Sequence, residues 1–193
     1  MAEQPIQKTV KVTLFGDAGV GKTSLIRRYV ENQFDDKYIS TIGTKISKKV
    51  VNVNHPVTGK PIEVTMMIWD IVGQKEFRQL LQDKYFEGTQ AAIGVCDVTR
   101  RETYNDIEEW HKSICNVTGH IPMVFIGNKA DMTDKIVVTE ADLKQLVQDY
   151  LDCISEDRLR DILLHGKKPY MLTSAKTGQN VEDAFKTIAE AVI

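Results

Sequence analysis

The chain has 193 residues, of which 42% are hydrophobic, and its formal net charge is −2. This length and composition predict a single globular domain with a sizeable core, spanning residues 1–193. The weakly acidic balance argues against binding to nucleic acid or to an anionic membrane surface, since both need a basic surface.

The first predicted elements are an apolar strand, Val10 to Phe15, a glycine-rich loop and a helix, Ser24 to Val30. The loop, residues 16–23, fits the phosphate-binding pattern G-x-x-x-x-G-K-[ST], which requires this strand–loop–helix context. Backbone N–H groups of such a loop can hold a phosphate chain, aided by the positive end of the following helix. Lys22 is expected at the β- and γ-phosphates, and the Thr23 hydroxyl at Mg²⁺. The loop alone leaves a GTPase, an ATPase and a nucleotide kinase open.

A β-hairpin is predicted next, after a loop over Gln33 to Gly43. Its two runs, Lys45 to Asn54 and Ile62 to Asp70, flank a segment rich in turn residues. In the second run hydrophobic and other residues alternate with a period of two, which is typical of a half-buried strand. The hairpin predicts one antiparallel strand in an otherwise parallel sheet.

The rest of the chain alternates strand and helix patterns, which indicates an α/β fold with helices on both faces of the sheet. The remaining strands are predicted at Ala91 to Val98, Met123 to Ile126 and Tyr170 to Thr173. Three helices are expected to begin at polar capping residues, the second through a capping box with Asp142. These caps are Thr103, Thr139 and Asn180.

Four further stretches follow predicted strands or occupy loops. They are Thr41-Ile42-Gly43, Asp70-Ile71-Val72-Gly73-Gln74, Asn128-Lys129-Ala130-Asp131 and Thr173-Ser174-Ala175-Lys176.

Together with the phosphate loop, these stretches resemble, in order and spacing, the Ras superfamily of small GTPases, and most closely its Rab branch. The resemblance extends from Lys8 to the final helix. It implies a P-loop NTPase G domain with a mostly parallel six-stranded sheet, which binds GTP or GDP with Mg²⁺. It also implies an exchange factor, a GTPase-activating protein and effectors as partners of a monomer.

The resemblance assigns a role to each matching residue. Asp131 would accept from the ring N–H and the exocyclic amine of guanine, whereas adenine would leave the charge poorly paired, so a generic ATPase or nucleotide kinase is excluded. Gln74 would orient the attacking water, assisted by Lys22, Thr41 and Gly73. Mg²⁺ would be held by Thr23, Thr41 and, through water, Asp70. The residues implied in nucleotide binding are Asp17, Ala18, Gly19, Val20, Gly21, Lys22, Thr23, Ser24, Phe34, Tyr38, Thr41, Gly73, Asn128, Lys129, Asp131, Ser174, Ala175 and Lys176.

The sequence departs from the family pattern in several places. Ile39 stands where some GTPases carry a catalytic arginine, so we expect slow intrinsic hydrolysis that an activating protein raises by about 10³–10⁵. Ala18 adds a methyl group near the glutamine and near the position of an incoming arginine. Thr44, Lys45 and Ile46 stand where Rab proteins typically carry a valine, an acid and an aromatic residue. An extra helical insert is expected at about residues 151–166, either packed on the domain or docking a partner.

Cellular location is predicted from what the chain lacks. Three cysteines without C-x-x-C spacing, Cys96, Cys115 and Cys153, predict reduced thiols and no zinc site in a cytoplasmic protein. Ala2 and the C-terminal residues match no lipidation motif, so we expect no direct membrane anchor. The alternative function is a guanine-nucleotide-binding scaffold that does not hydrolyse GTP and interacts through the insert.

Overall fold

The computed structural model describes residues 6–35, 41, 43–73, 84–155 and 168–193. Within these ranges the strands are β1 (Ile6–Phe15), β2 (Lys45–Asn54), β3 (Pro61–Asp70), β4 (Ala91–Asp97), β5 (Met123–Asn128) and β6 (Tyr170–Leu172). The α-helices with both ends in these ranges are α1 (Lys22–Glu31), α2 (Arg101–Asn105), α3 (Ile107–Thr118), α4 (Glu140–Cys153) and α5 (Val181–Ala191).

The six strands form one sheet in the order β2-β3-β1-β4-β5-β6. Only the β2–β3 pair is antiparallel; β1 pairs with β3 and β4 in parallel, as do β4 with β5 and β5 with β6. The predicted α/β class and the single antiparallel strand are therefore confirmed. In such a sheet the carboxyl ends of the parallel strands share one edge, so the loops that follow them converge there.

Helices cover both faces of the sheet, as predicted. On one face α1 and α5 pack together, with the rings of Tyr29 and Phe185 stacked at 4.0 Å between centroids. On the other face α3 and α4 bury Trp110 and Tyr150 against Phe125 of β5. Both packed layers keep the strands rigid, which holds the loops at the carboxyl edge in place.

The predicted helix starts have three different outcomes. Thr139 caps α4 in a full capping box with Asp142, as predicted. Asn180 caps α5 by position, but its side-chain amide donates to the Leu172 carbonyl instead. The prediction for Thr103 is wrong, because α3 begins after Asp106 and Thr103 lies inside α2. Its hydroxyl accepts from the Asp97 N–H and donates to the Arg100 carbonyl, which closes the turn after β4.

The predicted insert lies mostly outside the described residues. Leu151 to Cys153 form the last turn of α4, and residues 156–166 are not described. Where the structure describes the chain, it contains no helix with the length and apolar character that crossing a membrane requires.

Candidate functional site

The loops after β1, β3, β5 and β6 enclose a cleft of about 780 Å³ at the carboxyl edge of the sheet. Parts of all five sequence motifs line it, although they lie far apart along the chain. The predicted site residues that line the cleft are Ala18, Gly19, Gly21, Lys22, Thr23, Ser24, Phe34, Thr41, Asp70, Gly73, Asn128, Lys129, Asp131, Ala175 and Lys176. The tertiary structure thus brings most of the predicted residues to one cleft.

The phosphate loop crosses one end of the cleft and leads into α1. Among the described residues no side chain caps the start of α1, which follows Gly21 with φ of 102°. A Cβ at Gly21 would lie 2.2 Å from Nδ2 of Asn128, so only glycine fits beside that amide. The uncapped N–H groups of a helix start form an anion-binding site.

Lys22 lies along this loop and is only 6% exposed. Its ammonium donates to the carbonyls of Gly16 and Asp17 at 2.7 and 2.9 Å. Burial lowers the pKa of Lys22 to about 8, although the negative charges of Asp70 and Asp17 oppose that shift. A bound polyanion would stabilise the protonated form in the same way.

Oxygen atoms from three elements meet beside Lys22. The Thr23 hydroxyl donates to Oδ2 of Asp70 and lies 3.0 Å from the hydroxyl of Thr41. Within the described part of the chain, the other carboxylate oxygen, Oδ1 of Asp70, is buried without a hydrogen-bond partner. Burial raises the pKa of Asp70, while Thr23, Lys22 and Lys45 act against that rise.

This donor set fits Mg²⁺, which prefers oxygen ligands and usually takes one or two carboxylates together with substrate phosphates. In the described ranges no group of three or more His, Cys, Asp or Glu side chains could hold a metal ion by itself. The residues present therefore fit a metal ion whose remaining ligands are phosphate oxygens of a bound nucleotide.

Asn128 joins the two ends of the cleft. Its amide donates to the Val20 carbonyl at 2.9 Å, which ties the loop after β5 to the phosphate loop. Its Oδ1 accepts from the Ala175 N–H at 3.1 Å and from the Thr173 hydroxyl at 3.3 Å. The Ala175 N–H is thus directed at Asn128.

At the far end of the cleft, Asp131 faces the space opposite the phosphate loop. The Ser174 hydroxyl donates to its Oδ1 at 2.6 Å and accepts from the Thr177 N–H at 3.1 Å. This pair of hydrogen bonds orients the carboxylate from behind. Such fixed orientation is what lets a carboxylate discriminate between bases.

Some predicted residues are placed differently or not described. Val20 lies in the core, Asp17 directs its carboxylate to Trp110, and Ser174 acts on Asp131, so their side chains do not line the cleft. Tyr38 and Gln74 fall outside the described residues, and their roles stay predictions.

Sequence reasoning missed several residues that support the site. Arg28 on α1 donates to the carbonyls of Ala175 and Lys176 at 2.8 and 2.6 Å. Asp97 at the end of β4 forms an ion pair with Lys129 at 2.6 Å. For Asp97, the position of an aspartate at the end of an apolar strand could have indicated a role in the site. No local sequence pattern could have identified Arg28.

The cleft and its glycine-rich loop agree with comparisons to known proteins. The profile described as the Ras family matches residues 11–193. The chain belongs to the Ras family of small GTPases. It is 32% identical over 190 residues to "Ras-related protein Rab-27B" of Bos taurus, covering 95% of this chain and 79% of that protein.

Membership of the Ras family identifies the chain as a GTPase of the Rab-like type that acts as a switch and binds guanine nucleotide. Ras-family proteins generally use Mg²⁺, which agrees with the oxygen cluster around Asp70. They also work with regulators and effectors, which act on the loops around the nucleotide.

Proposed function

We propose that this protein is a molecular switch that hydrolyses GTP slowly to GDP and phosphate in a Mg²⁺-dependent reaction. The observation that carries the proposal is the placement of Lys22, Thr23 and Asp70 at one end of a single cleft and Asp131 at the other. Phosphate-binding and base-selecting groups therefore face the same bound molecule.

Guanine is selected by Asp131, whose carboxylate accepts from the ring N–H and the exocyclic amine. Adenine would present an acceptor to the same carboxylate, and the mismatch costs affinity because a partly buried charge is left poorly paired. Ser174 holds Asp131 in position, and Lys129 and Lys176 from the cleft wall cover the base.

Hydrolysis begins when water attacks the γ-phosphorus of GTP. The bond between that phosphorus and the oxygen that bridges the β- and γ-phosphates breaks, which leaves GDP and phosphate. Lys22 and the N–H groups of the phosphate loop stabilise the charge that develops on the phosphate oxygens. Gln74 orients the water. When bound, Mg²⁺ would be held by Thr23, Thr41 and, through water, Asp70, and it would supply further positive charge at the phosphates.

Switching follows from the loss of the γ-phosphate. Thr41 and Gly73 contact that group, so both loops relax when it leaves. Gly73 has no room for a side chain, since a Cβ would lie 2.6 Å from the backbone carbonyl of Asp17. Effectors read the loops, an exchange factor reloads GTP, and an activating protein supplies the missing arginine. The monomeric protein acts in trafficking or signalling.

Nucleotide analysis of the purified protein followed by single-turnover hydrolysis tests the proposal. We expect co-purified guanine nucleotide and slow, Mg²⁺-dependent phosphate release that Gln74→Leu abolishes. Gln145→Leu, on the exposed face of α4, is the matched control and should hydrolyse GTP normally.

Two results would contradict the proposal in different ways. Guanine nucleotide bound without any hydrolysis would favour the scaffold that stays loaded. Adenine nucleotide in the cleft would show that the interpretation of Asp131 is wrong.

A further inference from the structure

A buried carboxylate at the end of β4 holds two cations from different loops. Asp97 is 1% exposed, and its Oδ1 accepts from the Thr99 N–H and hydroxyl at 2.9 and 2.7 Å. Its Oδ2 receives the Lys129 ammonium at 2.6 Å and Nε of Arg100 at 3.0 Å. Burial raises the pKa of Asp97, but Lys129 and Thr99 outweigh that effect and hold the pKa below its ordinary value.

The Arg100 guanidinium also reaches the phosphate loop. Its Nη2 donates to the carbonyl of Ala18 at 3.0 Å, across 82 positions of the chain. Arg100 is not among the described residues that line the cleft, whereas Ala18 and Lys129 are. Its planar fork therefore acts behind the cleft, where it connects one loop to the other.

Lys129 needs such support because of its backbone. It adopts φ of 70°, a left-handed conformation that costs free energy in a residue other than glycine. The ion pair with a buried carboxylate holds the side chain and its loop in that conformation. Charge-assisted hydrogen bonds of this kind are stronger than neutral ones.

We propose that Arg100 and Asp97 form a brace that fixes the loop of Lys129 relative to the phosphate loop, and that this brace slows nucleotide release. Arg100 positions the phosphate end through Ala18, and Asp97 positions the base end through Lys129. The inference rests on the proposed binding of guanine nucleotide in the cleft. Preorganised loops pay less ordering cost on binding, so the bound state is longer-lived.

The test compares Arg100→Gln with Arg101→Gln in the full chain. Arg101 is the adjacent arginine, pairs with Asp142 at 2.7 Å and does not line the cleft among the described residues. We measure the dissociation rate of fluorescent GDP, and the affinities of GDP and GMP by competition. Arg100→Gln should raise the GDP dissociation rate by at least about tenfold, because it removes two charge-assisted hydrogen bonds, one to Asp97 and one to Ala18.

A positioning role predicts a pattern that general destabilisation does not produce. Arg100→Gln should lower the affinity for GDP more than the affinity for GMP, because the contact with Ala18 lies at the phosphate end of the cleft. Arg100→Lys should restore part of the affinity for GDP. Asp97→Asn should lower the affinities for GDP and GMP by similar factors, because it releases Lys129 at the end of the cleft that would hold the base.

Two outcomes would overturn the brace. One is a GDP dissociation rate in Arg100→Gln equal to that in Arg101→Gln, and the other is an equal loss of GDP and GMP affinity in Arg100→Gln. In both cases wild-type protein still binds GDP, so the proposed function stands. A wild-type chain that binds no guanine nucleotide would overturn both.

Discussion

The indole N–H of Trp110 donates a 2.8 Å hydrogen bond to the carboxylate of Asp17, although the two residues are 93 positions apart. Both side chains are buried, with Trp110 1% and Asp17 8% exposed. Asp17 belongs to the phosphate loop and Trp110 to α3. The bond therefore fastens the loop that faces the phosphates to the helix layer behind it.

Trp110→Phe should destabilise the protein by about 1–3 kcal/mol, since the buried Asp17 carboxylate loses a donor while most of the ring packing is kept. Urea denaturation measures the change in the free energy of unfolding. A double-mutant cycle with Asp17→Ala isolates the bond from the lost packing. A coupling energy below about 0.5 kcal/mol would contradict the assignment.

Arg28→Met should raise the rate of GDP release by about tenfold, because the loop of Ala175 and Lys176 loses two charge-assisted hydrogen bonds. Stopped-flow release of fluorescent GDP measures the rate. Arg28→Lys, which keeps the charge but not the fork, should fall between wild type and Arg28→Met. Arg101→Met, an exposed arginine away from this loop, should release GDP like wild type, and an equal rise in that control would refute the role of Arg28.

Chelation of Mg²⁺ should accelerate GDP release from wild type by at least about tenfold, because the metal offsets charge between Asp70 and the phosphates. Asp70→Asn should release GDP fast even in Mg²⁺, and EDTA should add little. Asp183→Asn on α5 lies in a different element and should respond to EDTA like wild type. An Asp70→Asn protein that keeps the full EDTA response would exclude Asp70 from the metal site.

The capping box of α4 predicts a dependence of stability on pH. The backbone N–H of Thr139, its hydroxyl and the Arg101 guanidinium lower the pKa of Asp142 from 3.8 to about 2. Since the folded-state value is depressed, the stabilisation is present above pH 4 and is lost as pH falls from 3.8 through about 2.

Asp142→Asn should therefore be less stable than wild type by about 1 kcal/mol at pH 7, and the difference should shrink towards pH 3. Urea denaturation over this range measures both proteins. A difference that stays constant with pH would mean that the carboxylate charge makes no contribution to the cap.

Local patterns in the sequence were enough to predict the phosphate loop, the antiparallel hairpin and the capping box of α4. Each depends on residues a few positions apart, whose backbone geometry is restricted by glycine, by strand periodicity or by a side chain that reaches its own helix start. Thr103 shows the limit of such patterns. Its hydroxyl could cap a helix, but in the turn after β4 it accepts a hydrogen bond from the N–H of Asp97 instead.

By itself the sequence determined the order of elements and the mostly parallel sheet, and it named the residues predicted to recognise phosphate and guanine. These follow from short-range spacing and from the chemistry of the motifs. Only the tertiary structure decided that Trp110 holds Asp17, that Arg28 holds the loop of Ala175 and that Arg100 reaches Ala18. These partners lie on different elements, and helical or strand periodicity shows which face is buried but not which distant polar atom a buried side chain will meet.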